Sequence, residues 1–173
     1  RRQRQMCIRD SPRTLSMDKK LLIKENIDLL FTPEDNFLNQ KLEAPPLGNV
    51  ISQLCGVDRP GHFRGVAKVI INFLDIIKPN YIYLGEKDFQ QTLVIKKIIK
   101  KCNYKTEVIV LPTIRDVKEV AISSRNQFLK NKNKELSNIP ETLDKIRIRI
   151  LEGNFFISSI TCFKKVLLEN GIS

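Results

Sequence analysis

The run YIYLGEKDFQQTLVIKKIIKKCNYKTEVIVLP, residues 81–112, constrains the fold more than any other part of the sequence. Its apolar ends, YIYLG and TEVIVLP, have the length and composition of buried β-strands. Between them, DFQQTLVIKKIIKK repeats apolar residues at helical spacing. A strand, a helix and a second strand in this order form a βαβ unit, whose two strands lie parallel. The sequence therefore predicts an α/β fold with a parallel sheet.

The segment before this unit is predicted to be an amphipathic helix ended by Pro79. RPGHFRGVAKVIINFLDIIKP has apolar residues at i, i+3, i+4, i+7, i+8 and i+11, namely Val66, Val69, Ile70, Phe73, Leu74 and Ile77. Further upstream, SPRTLSMDKKLLIKEN predicts a short helix, IDLLF a strand, and NVISQL another short helix.

The remainder of the chain is predicted to be mainly helical. Residues 113–126 are a polar connection without clear periodicity, and KELSNIPETLDKIRIRILEGN and SSITCFKKVLLENG follow with helical spacing. We therefore place a domain boundary near residue 118. Residues 12–117 would belong to the α/β domain and residues 118–173 to a smaller second domain.

Residues 1–11, RRQRQMCIRDS, differ in composition from the rest of the chain. They hold four Arg and no apolar periodicity, whereas the chain afterwards prefers Lys. We interpret them as a foreign or disordered tail; a basic targeting arm is the alternative. Because Lys serves elsewhere as the general cation, the Arg kept at Arg59, Arg64, Arg115 and Arg125 indicates sites that need a planar, bidentate donor.

The formal net charge of +11 raises the question of nucleic-acid binding. Much of it comes from Lys on predicted helix faces, as in KKIIKK and KNKNK, which is typical of a solvated surface. There is no RNP-like aromatic run and no helix-turn-helix pattern, so a nucleic-acid partner is not expected. No apolar run approaches the roughly 18 residues of a membrane span, so no membrane association is expected either.

The cysteines and the histidine argue against a metal site. The four Cys stand alone in the sequence without a C-x-x-C pair, and the chain has one His. This usage fits a reduced, cytoplasmic setting.

The stretch GEKDFQQ lies where the first strand turns into the helix. In a parallel sheet, ligands bind beyond the carboxyl ends of the strands, beside helix N-termini. Gly85 allows close approach to the backbone. Lys87, in the first turn of the helix, opposes the macrodipole unless an anion such as phosphate lies there. Asp88 either caps the helix or holds a ribose hydroxyl, and Gln91 lies one turn on from Lys87. The alternative is a capped helix start with surface charge.

A second candidate is SSRN, which places two hydroxyls beside a guanidinium. Ser123, Ser124 and Arg125 would suit phosphate oxygens; the alternative is an N-cap for the following helix. His62 is interpreted as a structural, hydrogen-bonding residue, because the sequence shows no Ser, Asp or metal partner for catalysis.

Taken together and in this order, RPGHFRGV, GEKDFQQ and SSRN resemble the pantothenate synthetase (pantoate–β-alanine ligase) family. PRTL followed by a helix and IDLLF resembles its upstream segment. The resemblance implies a Rossmann-like nucleotidyltransferase domain and the start of a smaller C-terminal lid domain. It also implies an ATP-dependent ligase that condenses pantoate with β-alanine through pantoyl adenylate, assisted by Mg²⁺. For the full-length enzyme we expect a homodimer in the cytoplasm.

The resemblance assigns roles to two groups of residues and implies no protein ligand for a metal. The residues implied for ATP are Gly85, Lys87, Asp88, Ile114, Ser123, Ser124 and Arg125. Of these, it gives the catalytic role to Lys87, Ser123 and Arg125. The residues implied for pantoate are Gln91, Val66, Val69 and Ile70.

The sequence also departs from the family pattern. The family's N-terminal strand, its His-containing nucleotide loop and its last strands are not found in it, so we expect an interior, weakly active fragment. Lys118 and Glu119 stand where the family usually has Asp-Gly, so the turn before SSRN departs from the family pattern. The alternative function is a non-catalytic, basic nucleotide- or RNA-binding module that kept an adenylating-enzyme fold.

Overall fold

A computed structural model describes residues 14–33, 43–126 and 133–153. In these ranges the helices are α1 (Leu15–Lys24), α2 (Cys55–Asp58), α3 (His62–Ile77), α4 (Phe89–Lys101) and α5 (Asn133–Leu151). The strands are β1 (Tyr81–Gly85) and β2 (Glu107–Leu111), with short 3-10 turns at Gly48–Ile51 and Glu86–Asp88. The chain divides into two compact units between Pro112 and Thr113, upstream of the boundary predicted near residue 118.

The predicted βαβ unit is confirmed. Strands β1 and β2 pair in parallel, in a register that runs from Tyr81 opposite Glu107 to Gly85 opposite Leu111. Helix α4 connects them. Because the strands are parallel, both carboxyl ends lie at one edge of the sheet, and the turn Glu86–Asp88 starts from that edge.

The core of the first unit lies between α3 and α4. It is formed by the buried side chains of Leu47, Phe63, Ala67, Ile71, Val94 and Ile98. Burying a side chain such as Ile or Phe stabilises the fold by about 1.5–3 kcal/mol, so this cluster fixes how the two helices pack.

Helix α3 is confirmed, but its buried face differs from the stripe that the periodicity indicates. The buried positions start at Phe63, Ala67 and Ile71, spaced four residues apart. Of the six apolar positions predicted to form the pattern, only Leu74 is buried. Because this helix carries apolar residues on several of its sides, their spacing alone does not determine which face packs against α4.

The strand predicted for IDLLF is not present. Residues 27–31 have no regular secondary structure, and Leu29 is 84% exposed. A strand needs a neighbour for its backbone hydrogen bonds, and the sheet of the described residues holds only β1 and β2. Phe31 instead packs edge-on against Phe73, with 6.0 Å between the ring centroids.

The second unit contains the connection at 113–126 and helix α5, which confirms the helix predicted for KELSNIPETLDKIRIRILEGN. The helix predicted for SSITCFKKVLLENG and the tail at residues 1–11 lie outside the described residues. In the part of the chain that the structure describes, no helix is long and apolar enough to cross a bilayer.

Candidate functional site

Gly85 ends β1 and leaves the carboxyl edge of the sheet open. Its backbone is extended, with φ −80° and ψ 132°, so the conformation itself does not require glycine. A Cβ built at this position would meet nothing within 4 Å. The space above Gly85 is therefore free for a ligand to approach the backbone.

Lys87 and Asp88 follow Gly85 in the 3-10 turn rather than in the first turn of α4, which begins at Phe89. Both side chains are exposed, and Lys87 forms no ion pair with any described residue. Asp88 occupies the N-cap position of α4, yet its side chain makes no capping hydrogen bond. The interpretation of this turn as a capped helix start is therefore wrong for Asp88, and its carboxylate stays available.

Gln91 lies in the first turn of α4 and is half-buried. Its neighbour Gln90 is buried and makes three hydrogen bonds. Its amide nitrogen donates to the carbonyl oxygens of Val50 at 2.8 Å and Gln53 at 2.7 Å, and its Oε1 accepts from the Cys55 N–H at 3.1 Å. Gln90 is not among the residues that the sequence motifs indicate for a ligand.

The apolar residues implied for the pantoate pocket lie on α3. Val66, Val69 and Ile70 are each half-buried, beside the fully buried face of the helix. Part of each side chain therefore remains accessible, as residues that line a small-molecule pocket require.

His62 is the first residue of α3 and links the RPGHFRG and GEKDFQQ stretches within the first unit. Its ring centroid lies 5.1 Å from that of Phe63. Burial lowers the pKa of His62, the nearby Arg59 cation lowers it further, and the Asp88 carboxylate opposes both. The charges of Arg59 and Asp88 thus both act on His62, a link between the two stretches that sequence order alone did not show.

The SSRN stretch belongs to the second unit and forms a short 3-10 turn at 124–126. Ser123 is half-buried, and its Oγ accepts from the Arg125 N–H at 3.3 Å, as the capping interpretation expects. Ser124 and Arg125 are exposed, and within the described ranges Arg125 forms no ion pair. One hydroxyl therefore orders the turn, while the other and the guanidinium face solvent.

The turn before SSRN forms with Lys118 and Glu119 in place. The Asp116 Oδ1 accepts from the N–H groups of Lys118 at 2.9 Å and Val120 at 3.0 Å. Arg115 donates from Nη1 to the Glu119 carbonyl at 2.9 Å. Glu119 adopts φ 61°, the left-handed conformation that favours glycine. Ile114, at the start of this segment, is 72% exposed.

Two clefts lie outside the implied site residues. One, of about 360 Å³, is lined by Ile51, Ser52, Gly56, Val57, Pro60, Gly61, Phe63 and Arg64. The other, of about 590 Å³, lies in the second unit and is lined by Arg115, Lys118, Glu119, Pro140, Glu141, Leu143, Asp144 and Arg147. In the second, Arg147 already pairs with Asp144 at 2.8 Å. Part of the charge in this second cleft is therefore already paired, and its larger volume alone does not make it a better candidate ligand site than the first.

A family model described as pantoate-beta-alanine ligase matches residues 6–163 of the chain. The chain belongs to the pantoate-beta-alanine ligase family. This confirms the resemblance carried by RPGHFRGV, GEKDFQQ and SSRN, and the match begins within the stretch 1–11 that the sequence sets apart.

Curated relatives within the pantoate-beta-alanine ligase family are named pantothenate synthetase. The protein of Shewanella woodyi is 35% identical over 170 residues, which are 94% of this chain and 59% of the relative. That of Thermodesulfovibrio yellowstonii is 38% identical over 130 residues, 74% of this chain and 46% of the relative. The chain thus spans about 59% or less of the length of these relatives.

Solved structures of family members have the same fold. The pantothenate synthetase of Thermus thermophilus superposes with a TM-score of 0.81 at 30% identity, covering 91% of this chain and 59% of that one. The pantoate-beta-alanine ligase of Francisella tularensis, solved with beta-gamma ATP and beta-alanine, gives a TM-score of 0.73 at 35% identity, covering 79% of this chain and 54% of that one. These matches, with the observed parallel βαβ unit, confirm the predicted α/β nucleotidyltransferase-like fold.

Proposed function

We propose that the chain supplies nucleotide- and pantoate-binding residues of an ATP-dependent ligase that condenses pantoate with β-alanine to pantothenate. The observation that carries the proposal is the turn Gly85–Asp88 at the carboxyl edge of the sheet. It offers an open approach to the backbone, an ammonium without an ion-pair partner among the described residues and a carboxylate without a capping role. An anionic nucleotide would satisfy all three features at once.

Residue chemistry and family membership support the roles that we propose. Lys87 binds an ATP phosphate, and Gly85 and Asp88 face the ribose. Gln91 binds pantoate, with the apolar wall of Val66, Val69 and Ile70 against its carbon skeleton. In the second unit, Ser123, Ser124 and Arg125 bind phosphate oxygens, and Ile114 supports the adenine.

The reaction has two steps, and neither needs a covalent bond to the enzyme. The pantoate carboxylate attacks the α-phosphorus of ATP; the new P–O bond forms as the bond to pyrophosphate breaks. The uncharged amine of β-alanine then attacks the acyl carbon of pantoyl adenylate. A C–N bond forms, AMP leaves, and the amine releases a proton. Catalysis of this kind is positioning and charge neutralisation, for which Lys87, Ser123 and Arg125 are the groups of this chain.

Mg²⁺ would reach the site as part of the nucleotide. Among the residues that the structure describes, no cluster of three or more His, Cys, Asp or Glu side chains could hold a metal ion. Mg²⁺ in nucleotide enzymes is held largely by substrate phosphates and water. We therefore propose that it enters with ATP.

The Francisella tularensis relative supports the choice of ligands, because that protein was solved with beta-gamma ATP and beta-alanine. The cytoplasmic location and the homodimer of the full-length enzyme stay predictions. The test of the proposal is equilibrium binding. Calorimetric titration of the chain with ATP and with pantoate should show both bind, and Gln91→Ala should weaken pantoate binding while leaving ATP binding unchanged.

An RNA titration at two salt concentrations completes this experiment. RNA binding that weakens steeply with salt, with no binding of pantoate, would favour the basic nucleic-acid-binding module instead. Equal pantoate binding by wild type and Gln91→Ala would remove the role assigned to that residue.

A further inference from the structure

Gln90 follows the turn Gly85–Asp88, which we call the nucleotide turn, and contacts a distant segment of the chain. Its side chain is 9% exposed and contacts backbone atoms 35 to 40 residues earlier in the sequence. Both amide hydrogens and the carbonyl oxygen are used, at 2.7, 2.8 and 3.1 Å. A carboxamide that bonds only to backbone groups can hold a loop whatever side chains that loop carries.

The loop that Gln90 holds contains a strained residue. Leu54 has φ 49° and ψ −126°, a conformation that a residue with a branched side chain rarely adopts. Gln90 bonds to both neighbours of Leu54, donating to the Gln53 carbonyl and accepting from the Cys55 N–H. Strain of this kind persists where surrounding contacts over-determine the backbone, and it concentrates at functional sites.

The loop leads directly to the residues near the nucleotide turn. After α2 the chain reaches Arg59, whose carbonyl accepts from the His62 N–H at 3.0 Å. His62 then starts α3, and the charge of Asp88, the carboxylate to which we assign the ribose, acts on its imidazole. Helix α4 thus acts on this region twice: through the three hydrogen bonds of Gln90 to residues 50, 53 and 55, which we call the Gln90 clamp, and through the charge of Asp88 at its own start.

We propose that Gln90 is a positioning residue that fixes the loop 50–55 on α4 and thereby positions the segment that follows it, Arg59 and His62 included, relative to the start of α4. The inference rests on the proposed function only where it assigns Asp88 to the nucleotide. The clamp itself acts on the backbone and is independent of any ligand. Nothing in this role requires Gln90 to touch a substrate, which distinguishes it from its neighbour Gln91.

The test uses the fact that the chain has one His. Its imidazole can be titrated by NMR without overlap, in the 173-residue chain and without ligand. The variant Gln90→Met keeps the length of the side chain but removes all three hydrogen bonds. Without them the loop should shift, which should expose His62 to water and move the Arg59 charge away from it. The pKa of His62 should then rise toward the ordinary value of about 6.5.

The matched control is Thr106→Val, which also removes one buried side chain-to-backbone hydrogen bond in this unit. The Thr106 hydroxyl donates to the Pro79 carbonyl at 2.7 Å, at the amino-terminal end of β2. Thr106→Val should leave the His62 titration unchanged. An unchanged titration in Gln90→Met, or an equal shift in both variants, would overturn the positioning role.

A second measurement covers the case in which Gln90→Met does not fold. In the wild-type chain, the Cys55 amide should exchange with deuterium about tenfold or more slowly than a loop amide without a partner, because Gln90 Oε1 accepts its hydrogen bond. Exchange at the rate of an open loop would overturn the clamp. ATP binding, measured separately, tests the proposed function, so the two failures are distinguishable.

Discussion

At the scale of single residues, two glycines of the first unit should respond to the same substitution in opposite ways. A Cβ at Gly56 would lie 2.2 Å from the carbonyl oxygen of Ile51, a backbone atom that cannot swing aside. Gly56→Ala should lower the free energy of unfolding by about 1–3 kcal/mol. At Gly65, inside α3, a Cβ meets nothing within 4 Å, so Gly65→Ala should raise the free energy of unfolding by about 0.4–1 kcal/mol. Urea denaturation of both variants measures the pair; a Gly56→Ala chain as stable as the wild type would contradict the close approach of this position to the Ile51 carbonyl oxygen.

Glu119 gives a second prediction at this scale. Its left-handed conformation costs a non-glycine residue about 1–2 kcal/mol. Glycine would avoid this cost, but part of the gain would be offset because glycine loses more conformational entropy on folding. Glu119→Gly should therefore raise the free energy of unfolding by up to about 1 kcal/mol. Lys118→Gly, one position earlier and outside the left-handed region, should lower it. Thermal denaturation of the two variants decides, and a loss of stability in Glu119→Gly would show that the side chain does something that the turn geometry does not reveal.

At the scale of elements, a hydrogen bond joins α3 to the connection between α4 and β2. The Tyr104 hydroxyl donates to Asp75 Oδ1 at 2.5 Å. Burial, the hydrogen bond and the Asp75 charge raise the pKa of Tyr104 well above its ordinary value. A pKa raised in the folded state gives stability that is fully present below the unfolded pKa of about 10 and is lost as the pH rises beyond it.

The expected outcome is a difference in how two proteins lose stability with pH. The stability advantage of the wild-type chain over Tyr104→Phe should fall as the pH rises above about 10, because only the wild type loses the Tyr104 proton on unfolding. Urea denaturation at pH 8 and at pH 11 measures this. An advantage that is the same at both pH values would mean that the Tyr104–Asp75 contact does not couple to stability.

The same scale shows how far the sequence determines the fold. The βαβ unit and helices α3, α4 and α5 follow from local periodicity, because residues 81–112 hold strand, helix and strand within one short run. The prediction of a strand for IDLLF is wrong, because a strand needs a pairing partner from another part of the chain and local composition does not reveal whether one is present. The buried face of α3 was likewise set by contact with α4, not by its own spacing.

At the scale of the whole molecule, some features of the site can be found from sequence motifs, whereas others are found only in the folded structure. The stretches GEKDFQQ and SSRN are found by residue type and order, and both lie within residues 6–163, which match the family model. The Gln90 clamp spans 35 to 40 residues of sequence and leaves no periodic trace. The only sign of it in the sequence is the second Gln beside Gln91. No nearby residue type indicates that Gln90 bonds to backbone atoms.

The central claim is that the Gly85–Asp88 turn binds the nucleotide, and ATP titration of two charge-matched variants tests it most directly. Lys87→Ala removes the ammonium from the turn, whereas Lys96→Ala removes an exposed ammonium further along α4. A charge-assisted hydrogen bond is worth about 1.5–3 kcal/mol, so Lys87→Ala should weaken ATP binding about tenfold or more. Lys96→Ala should bind ATP as the wild type does, and both variants should keep the wild-type melting temperature. Equal ATP affinities for wild type and Lys87→Ala would contradict the account, because Lys87 would then be surface charge and nothing more.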